Sequence, residues 1–198
     1  MDVRGLERAL DPVAVFREWL HEAEKTEPND ANAAALATAT RDGAPSVRMV
    51  LVKQVDARGF CFYTNAESRK GRELEANPRA ELCFHWKSLR RQVRVEGPVV
   101  ELPAAEADAY FHSRTRESQL GAAVSRQSRV LESREVLERM VAEFAAEHPE
   151  EVPRPAWWKG YAIRPERIEL WVSGEHRLHD RFLFARDGGA WVKSRLFP

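Results

Sequence analysis

The chain has 198 residues, enough for one domain with a substantial hydrophobic core, and its 31 basic and 31 acidic residues cancel at neutral pH. This balance gives no overall field to attract nucleic acid or anionic lipid, so any basic site must be local. No stretch approaches the roughly 18 consecutive apolar residues of a membrane span, and the N-terminus lacks an apolar signal core. We therefore expect a cytoplasmic protein with no nucleic-acid or membrane partner.

The apolar pattern predicts an opening helix followed mainly by short strands. Asp11 is a suitable N-cap, Pro12 fits the first helical turn, and the helical spacing ends near Pro28. We expect residues 1–10, which precede this helix, to be flexible. Turns rich in Asp and Gly separate the apolar runs that follow. Predicted strands span residues 33–40, 46–55, 60–65, 80–86, 92–101, 161–172, 176–185 and 190–196, and predicted helices span residues 67–76, 103–111 and 133–147.

This order of elements predicts a mainly β fold in a single domain, residues 1–198. Seven or eight short strands with few helices between them do not make repeated βαβ units. We therefore expect an antiparallel β-barrel with flanking α-helices rather than a doubly wound sheet.

The cysteines and histidines give no metal-binding pattern. Cys61 and Cys83 each lie inside an apolar run, which is typical of free buried thiols in a reducing compartment. His176 and His179 are three residues apart, a spacing that places them on opposite faces of a strand. We predict no metal site.

Three groups near the C-terminus have the spacing of one strand face. Arg177, His179 and Arg181 alternate with other residues, so an extended strand would turn all three to the same side. Two guanidiniums and an imidazole repel one another unless an anion lies between them, which favours a phosphorylated ligand. The alternative is a solvated edge strand.

Two further cations lie in the second predicted strand. Arg48 and Lys53 have opposite parity, so a regular strand sends them to opposite faces unless a β-bulge intervenes.

A phosphate site is also predicted at a helix start. Arg69 and Lys70 follow Ser68 in the first turn of a predicted helix, where free backbone N–H groups favour an anion. A solvated helix start is the alternative interpretation.

A second phosphate site is predicted from a helical spacing. Tyr110, Arg114 and Ser118 are four residues apart, which aligns them on one face of a continuous helix. If the helix breaks near Ser113, Ser118 acts instead from the start of the next helix. The alternative is a polar helix face without a ligand.

In their order, these motifs resemble those of the pyridoxine (pyridoxamine) 5'-phosphate oxidase family. The resemblance covers about residues 10–198, and the joint order of the motifs is more specific than any one of them. The runs that carry it are residues 48–53 (RMVLVK), 63–65 (YTN), 68–70 (SRK), 110–114 (YFHSR), 127–128 (QS), 177–181 (RLHDR) and 195–198 (RLFP).

The resemblance implies a split β-barrel homodimer with FMN bound noncovalently in two clefts at the subunit interface. It implies that Lys53, Tyr110, Arg114 and Ser118 bind the substrate phosphate, and that Arg177 and His179 are the catalytic pair that holds the substrate ring against the flavin. The implied FMN contacts are Arg48, Met49, Val50, Leu51, Lys53, Tyr63, Thr64, Arg69, Lys70, Gln92, Gln127, Ser128, Trp171 and Arg181, some of them from the partner chain.

The implied reaction is the FMN-dependent oxidation of pyridoxine or pyridoxamine 5'-phosphate to pyridoxal 5'-phosphate, with O2 as acceptor and H2O2 as product. The chain would then be an oxidoreductase of vitamin B6 biosynthesis and salvage. Two alternatives stay open: a related FMN-dependent oxidase of phenazine biosynthesis, and a noncatalytic flavin or pyridoxal-phosphate binding protein. The predicted phosphate contacts argue against the phenazine oxidase. They do not separate an enzyme from a binding protein, because storing the ligand and oxidising it need nearly the same contacts.

Two departures from the family pattern bear on substrate affinity. Val172 and Ser173 stand where the family often has Gln and Gly, and Thr115 stands where many members have Pro, which would soften the helix break before Ser118.

Overall fold

The computed structural model describes residues 3–198 and has the predicted mainly β fold. The strands are β1 (Ala33–Ala39), β2 (Pro45–Asp56), β3 (Gly59–Asn65), β4 (Arg79–Trp86), β5 (Arg91–Glu101), β6 (Trp158–Ile163), β7 (Arg167–Val172), β8 (Asp180–Asp187) and β9 (Ala190–Leu196). The helices are α1 (Val3–Arg8), α2 (Pro12–Thr26), α3 (Arg69–Ala76), α4 (Ala104–His112), α5 (Arg116–Val124) and α6 (Arg134–Glu147). No helix among these residues is long and apolar enough to cross a membrane.

Six strands close an antiparallel barrel in the order β4-β1-β2-β3-β6-β5, because β5 also pairs with β4. Strand β5 serves two neighbours on its other edge: Arg91–Glu96 pair with β7, and Val99–Glu101 pair with β6. Gly97 lies at this change of partner, where an added Cβ would come within 1.9 Å of the Arg164 carbonyl oxygen. Strands β7, β8 and β9 extend the sheet beyond the barrel, and the predicted antiparallel split barrel is confirmed.

Helix α2 supplies the aromatic part of the core. The Asp11 side chain accepts a hydrogen bond of 2.9 Å from the Val13 amide, as its predicted N-cap role requires. Phe16 and Trp19 are fully buried, and the Phe16 ring packs edge-on against Phe60 and Phe84 at centroid distances of 4.9 and 4.8 Å. Burial of each such side chain stabilises the fold by roughly 1.5–3 kcal/mol, so this stripe fixes the helix on the barrel.

The N-terminal segment contains a short helix that contacts strand β9. Val3–Arg8 form a helix whose Leu6 is fully buried, while Met1 and Asp2 lie outside the described residues. The Lys193 ammonium on β9 donates hydrogen bonds to the carbonyls of Leu6, at 3.1 Å, and Ala9, at 3.0 Å. This cation satisfies carbonyls at the end of α1, which local sequence alone does not indicate.

The predicted single strand over residues 161–172 is wrong. It forms two strands, β6 and β7, which both run antiparallel to β5 and are separated by residues 164–166, with Pro165 at the centre of the interruption. Proline lacks the N–H that a central strand needs, so it interrupts the ladder with β5 there, while the chain continues in the same direction.

Candidate functional site

Eleven of the predicted site residues line one cavity of about 780 Å³. It lies between the outer face of β2, the end of β3, the start of α3 and the α4–α5 pair. These residues are Met49, Val50, Leu51, Lys53, Tyr63, Thr64, Lys70, Tyr110, Arg114, Ser118 and Gln127.

Strand β2 sends its two cations in different directions. Lys53 lines the cavity at a β-bulge, where the pairing register with β3 shifts between Val52 and Gln54. Arg48 turns to the opposite side and donates hydrogen bonds to the Leu36 carbonyl, at 3.1 Å, and to the Thr38 hydroxyl, at 2.5 Å. The two residues therefore serve different parts of the site.

The start of α3 places a buried ammonium at the cavity wall. The Ser68 hydroxyl caps the helix by accepting from the Gly71 amide, and Lys70 is only 7% exposed. The Lys70 ammonium donates to Gln127 Oε1 at 2.7 Å and Thr64 Oγ1 at 3.1 Å, both neutral oxygens. Burial, with a smaller contribution from Arg48, lowers the pKa of Lys70 to about 8. A buried cation without a carboxylate among its described partners provides a site for an anion.

Arg69 and Ser128 lie beside this ammonium. The Arg69 amide donates to Ser128 Oγ at 3.2 Å, and the Arg69 Nε donates to the Glu73 carboxylate at 2.8 Å. Ser128 has a positive φ of 70°, an uncommon conformation for a residue with a Cβ. The predicted phosphate residues of α3 therefore form one group with the loop that follows α5.

The second predicted phosphate site lies at a break between two helices. Helix α4 ends at His112 and α5 begins at Arg116, with Thr115 as N-cap, so the continuous-helix alternative is wrong. Ser118 lies in the first turn of α5, where its amide donates to the Thr115 hydroxyl at 3.4 Å. The threonine at position 115 was expected to soften the helix break before Ser118, because many family members have proline there. The two helices are nevertheless separate.

Arg114 at this break has no ion-pair partner among residues 3–198. Its Nη1 atom is buried and has no hydrogen-bond partner among the described residues, and burial lowers the pKa of this guanidinium. The guanidinium carbon lies 5.2 Å from the centre of the Trp158 ring and 5.9 Å from that of Phe111. Aromatic faces thus hold the side chain while its polar edge remains available to an anion.

An aromatic stack forms one wall of the cavity. The Tyr63 and Tyr110 rings are 4.1 Å apart and nearly parallel, and Trp158 stacks on Tyr63 at 5.4 Å. Burial raises the pKa of Tyr63, so its phenol stays protonated at neutral pH. Trp158 was missed by sequence reasoning, because a tryptophan that opens an apolar strand carries no motif.

Several of the other predicted residues form a second cluster on β5 and the sheet extension, outside the lining of this cavity in a single chain. Gln92, Trp171 and Arg181 are direct cross-strand partners on β5, β7 and β8, so they share one face. The His179 ring lies 4.6 Å from Trp171. Arg181 is paired with the buried Glu169 carboxylate at 2.8 Å.

The predicted strand face of Arg177, His179 and Arg181 is wrong. Residues 175–177 form a single 3-10 turn, β8 begins only at Asp180, and His176 and Arg177 have positive φ values of 51° and 65°. The backbone closes tightly here, because a Cβ on Gly174 would come within 1.8 Å of the Leu178 carbonyl oxygen. Arg177 is therefore exposed on a strained loop, a conformation found more often at functional sites than elsewhere.

Fold and site together define a split β-barrel protein with a basic, aromatic-walled cleft suited to phosphorylated ligands. Residues 20–148 match the family model described as pyridoxamine 5'-phosphate oxidase, and residues 158–198 match the one described as pyridoxine 5'-phosphate oxidase C-terminal dimerisation region. The chain therefore belongs to the pyridoxamine 5'-phosphate oxidase family, as its motifs predict.

Individual relatives agree over the whole length. The chain is 56% identical over 200 residues to the pyridoxine/pyridoxamine 5'-phosphate oxidase of Gluconobacter oxydans, which covers 100% of this chain and 99% of that protein. It is 60% identical over 194 residues to the protein of the same name from Rhodospirillum rubrum, covering 95% and 96% of the two chains.

Among solved structures, PhzG from Burkholderia lata in complex with tetrahydrophenazine-1-carboxylic acid superposes with a TM-score of 0.93. It is 32% identical and covers 100% of this chain and 98% of its own. An FMN binding protein from Nostoc punctiforme, 16% identical with a TM-score of 0.77 over 96% of this chain and 100% of its own, shares the fold.

Proposed function

We propose that this protein is an FMN-dependent oxidase that converts pyridoxine 5'-phosphate and pyridoxamine 5'-phosphate to pyridoxal 5'-phosphate, with O2 as the electron acceptor and H2O2 as a product. The observation that carries the proposal is a pair of cations in one cavity, Lys70 and Arg114, neither with a carboxylate among its described contacts. Two such cations suit two phosphate esters, one on the cofactor and one on the substrate.

The residues around Lys70 fit the phosphate end of FMN. Lys70 supplies a buried ammonium, and Thr64 and Gln127 hold that ammonium at hydrogen-bond distance, so it is in place before the ligand arrives. Arg48, Arg69 and Ser128 would complete the phosphate contacts. When bound, FMN supplies a two-electron acceptor that O2 can reoxidise.

The residues around Arg114 fit the phosphate of the substrate. Arg114 and Ser118 are fixed by the break between α4 and α5, Tyr110 is stacked on Tyr63, and Lys53 enters from the β2 bulge. Charge-assisted hydrogen bonds contribute roughly 1.5–3 kcal/mol each, so three or four of them give micromolar binding after association costs. Their work is to bind and orient the vitamer, since no side-chain nucleophile is needed.

We propose that the second cluster joins the cavity through a homodimer. Arg177, His179, Trp171 and Arg181 all lie within the C-terminal region that matches the dimerisation model. On the cavity side, Val47 and Met49 of β2 are 68% and 63% exposed in the single chain, an apolar surface that a second copy would cover. Arg177 and His179 would then hold the substrate ring against the flavin, and Gln92 would contact the flavin beside them.

A phenazine-type oxidase is the enzyme alternative, because PhzG shares the fold at 32% identity. A carboxylate could also occupy the Arg114 site. The set of Lys53, Tyr110, Arg114 and Ser118 in one cavity favours a phosphate dianion, which needs more donors than a carboxylate does.

The test is anaerobic reduction followed by oxygen. Purified protein saturated with FMN should lose its yellow colour on anaerobic addition of pyridoxamine 5'-phosphate, with one equivalent each of pyridoxal 5'-phosphate and ammonia formed. Air should then restore the colour with one equivalent of H2O2. Pyridoxamine without the phosphate and tetrahydrophenazine-1-carboxylic acid serve as comparison substrates. Faster bleaching by the phenazine acid would support the alternative oxidase, and stoichiometric binding without bleaching would indicate a binding protein.

A further inference from the structure

Glu73 on α3 is a buried carboxylate that is shared by Arg48 and Arg69, two of the predicted FMN contacts. It is 5% exposed and accepts hydrogen bonds from Arg69 Nε at 2.8 Å, from Arg48 Nη2 at 3.3 Å and from the Ser46 hydroxyl at 2.5 Å. The Thr38 hydroxyl is a fourth donor to it. Sequence reasoning did not select this residue, because an acidic side chain in a highly charged helix is expected to be exposed to solvent.

Every oxygen contact of this carboxylate is with a donor, which fixes its ionised state. Burial by itself would raise the pKa of Glu73, but the hydrogen bonds from Ser46, Thr38, Arg69 and Arg48 outweigh burial and lower the pKa to about 2. Glu73 therefore carries a full negative charge at neutral pH.

The cluster is continuous with the Lys70 site. Arg69 and Lys70 are adjacent in the first turn of α3, and the Arg69 amide contacts Ser128 Oγ at 3.2 Å. Arg48, Arg69 and Lys70 bring three positive charges, and Glu73 removes one, which leaves two. A phosphate monoester carries about −1.5 to −2 at neutral pH, so the remaining charge matches one such group.

We propose that Glu73 is a positioning residue for the cofactor phosphate: it holds the Arg48 and Arg69 guanidiniums in their binding orientation and sets the charge of the site to that of one dianion. The proposal rests on FMN being the cofactor. It assigns Glu73 no contact with the flavin ring or with the substrate.

This role differs in its consequences from that of an ordinary buried ion pair. A carboxylate that only stabilises the fold would affect all flavins equally when altered, because every flavin needs the folded barrel. A carboxylate that orients phosphate ligands should matter for FMN and not for riboflavin, which has the same ring system and no phosphate.

The test variant is Glu73→Gln, with Glu75→Gln as its matched control. The amide keeps the size of the side chain but, in either orientation, turns an NH2 group towards donors, since both carboxylate oxygens accept hydrogen bonds. Glu75 lies on the same helix, is exposed and undergoes the same chemical change.

The measurement is a titration of the full-length apoprotein with FMN and, separately, with riboflavin, followed by quenching of flavin fluorescence. We expect Glu73→Gln to weaken FMN binding at least about tenfold and to leave riboflavin binding within twofold of wild type. Glu75→Gln should change neither. Parallel weakening of both flavins, or FMN binding that is unchanged or tighter, would overturn the positioning role.

A milder variant covers the case in which Glu73→Gln does not fold. Ser46→Ala removes one hydroxyl that donates to Glu73 and accepts from Arg48, so it should weaken FMN binding about threefold, again without effect on riboflavin. Equal effects on both flavins would contradict the proposal. The wild-type titration separates failure of the Glu73 role from failure of the proposed FMN site. If wild-type protein binds FMN no more tightly than riboflavin, the proposed cofactor site itself is wrong.

Discussion

Replacing Arg114 by methionine should weaken substrate binding while leaving the fold as stable as before or more stable. The guanidinium lies against aromatic rings, and its buried Nη1 has no partner in the described part of the chain, so the free protein bears the cost of a poorly solvated charge. A phosphate would remove that cost by accepting the missing hydrogen bonds. Methionine retains most of the packing against Trp158 without the charge.

The magnitudes follow from the contacts. Loss of one charge-assisted hydrogen bond of about 1.5–3 kcal/mol corresponds to a fall in kcat/KM of about 10- to 150-fold for pyridoxamine 5'-phosphate. The fall should appear mainly in KM, because Arg114 contacts the nonreacting end of the substrate. The free energy of unfolding should stay the same or rise by up to about 1 kcal/mol, a small gain because the side chain is only partly buried.

Two assays separate these effects. Steady-state kinetics with pyridoxamine 5'-phosphate and with pyridoxamine should show the loss for the phosphorylated substrate alone, and thermal unfolding of the FMN-saturated protein reports stability. Arg139→Met is the matched control, since Arg139 is an exposed arginine on α6. The reasoning is refuted if Arg114→Met affects both substrates equally, or if it lowers the free energy of unfolding by more than about 1 kcal/mol.

Three further predictions concern other parts of the molecule. The pKa of Lys70 is about 8, so its ammonium is charged below that pH and loses its charge above it. In fluorescence titrations FMN affinity should therefore fall about tenfold between pH 7 and 9 in wild type and stay constant in Lys70→Arg. A flat wild-type profile would exclude Lys70 from the phosphate site. Arg177→Ala should lower kcat/KM for pyridoxine 5'-phosphate at least about tenfold with FMN content intact, and unchanged kinetics would remove this exposed arginine from the site. Gly97→Ala should destabilise the fold by about 2 kcal/mol or more in denaturant titrations, because the new Cβ would collide with the Arg164 carbonyl. Gly121→Ala is the control and should stabilise α5 slightly, because no atom lies within 4 Å of its new Cβ. Equal stabilities of the two variants would contradict the close packing at Gly97.

The sequence by itself determined the local elements of this protein. Asp11, Ser68 and Ser133 were recognisable as helix caps or helix starts, and each accepts the expected backbone hydrogen bond. Glycines 43 and 59 mark hairpin turns and adopt the positive φ that those turns need. Such features depend on interactions within a few residues, so most strands and helices and the barrel class could be predicted, although helix α1 and the interruption between β6 and β7 were not.

Only the tertiary structure decided how the site is assembled. Gln127 reaches Lys70 across 57 residues of sequence, and Trp158 supports Arg114 across 44, contacts that no local pattern encodes. The predicted strand at residues 176–179 failed for the same reason: alternation suits a strand, but the tight closure of Gly174 on Leu178 sets the backbone. The burial of a side chain and its hydrogen-bond partners depend on distant parts of the chain, which come together only when the barrel folds.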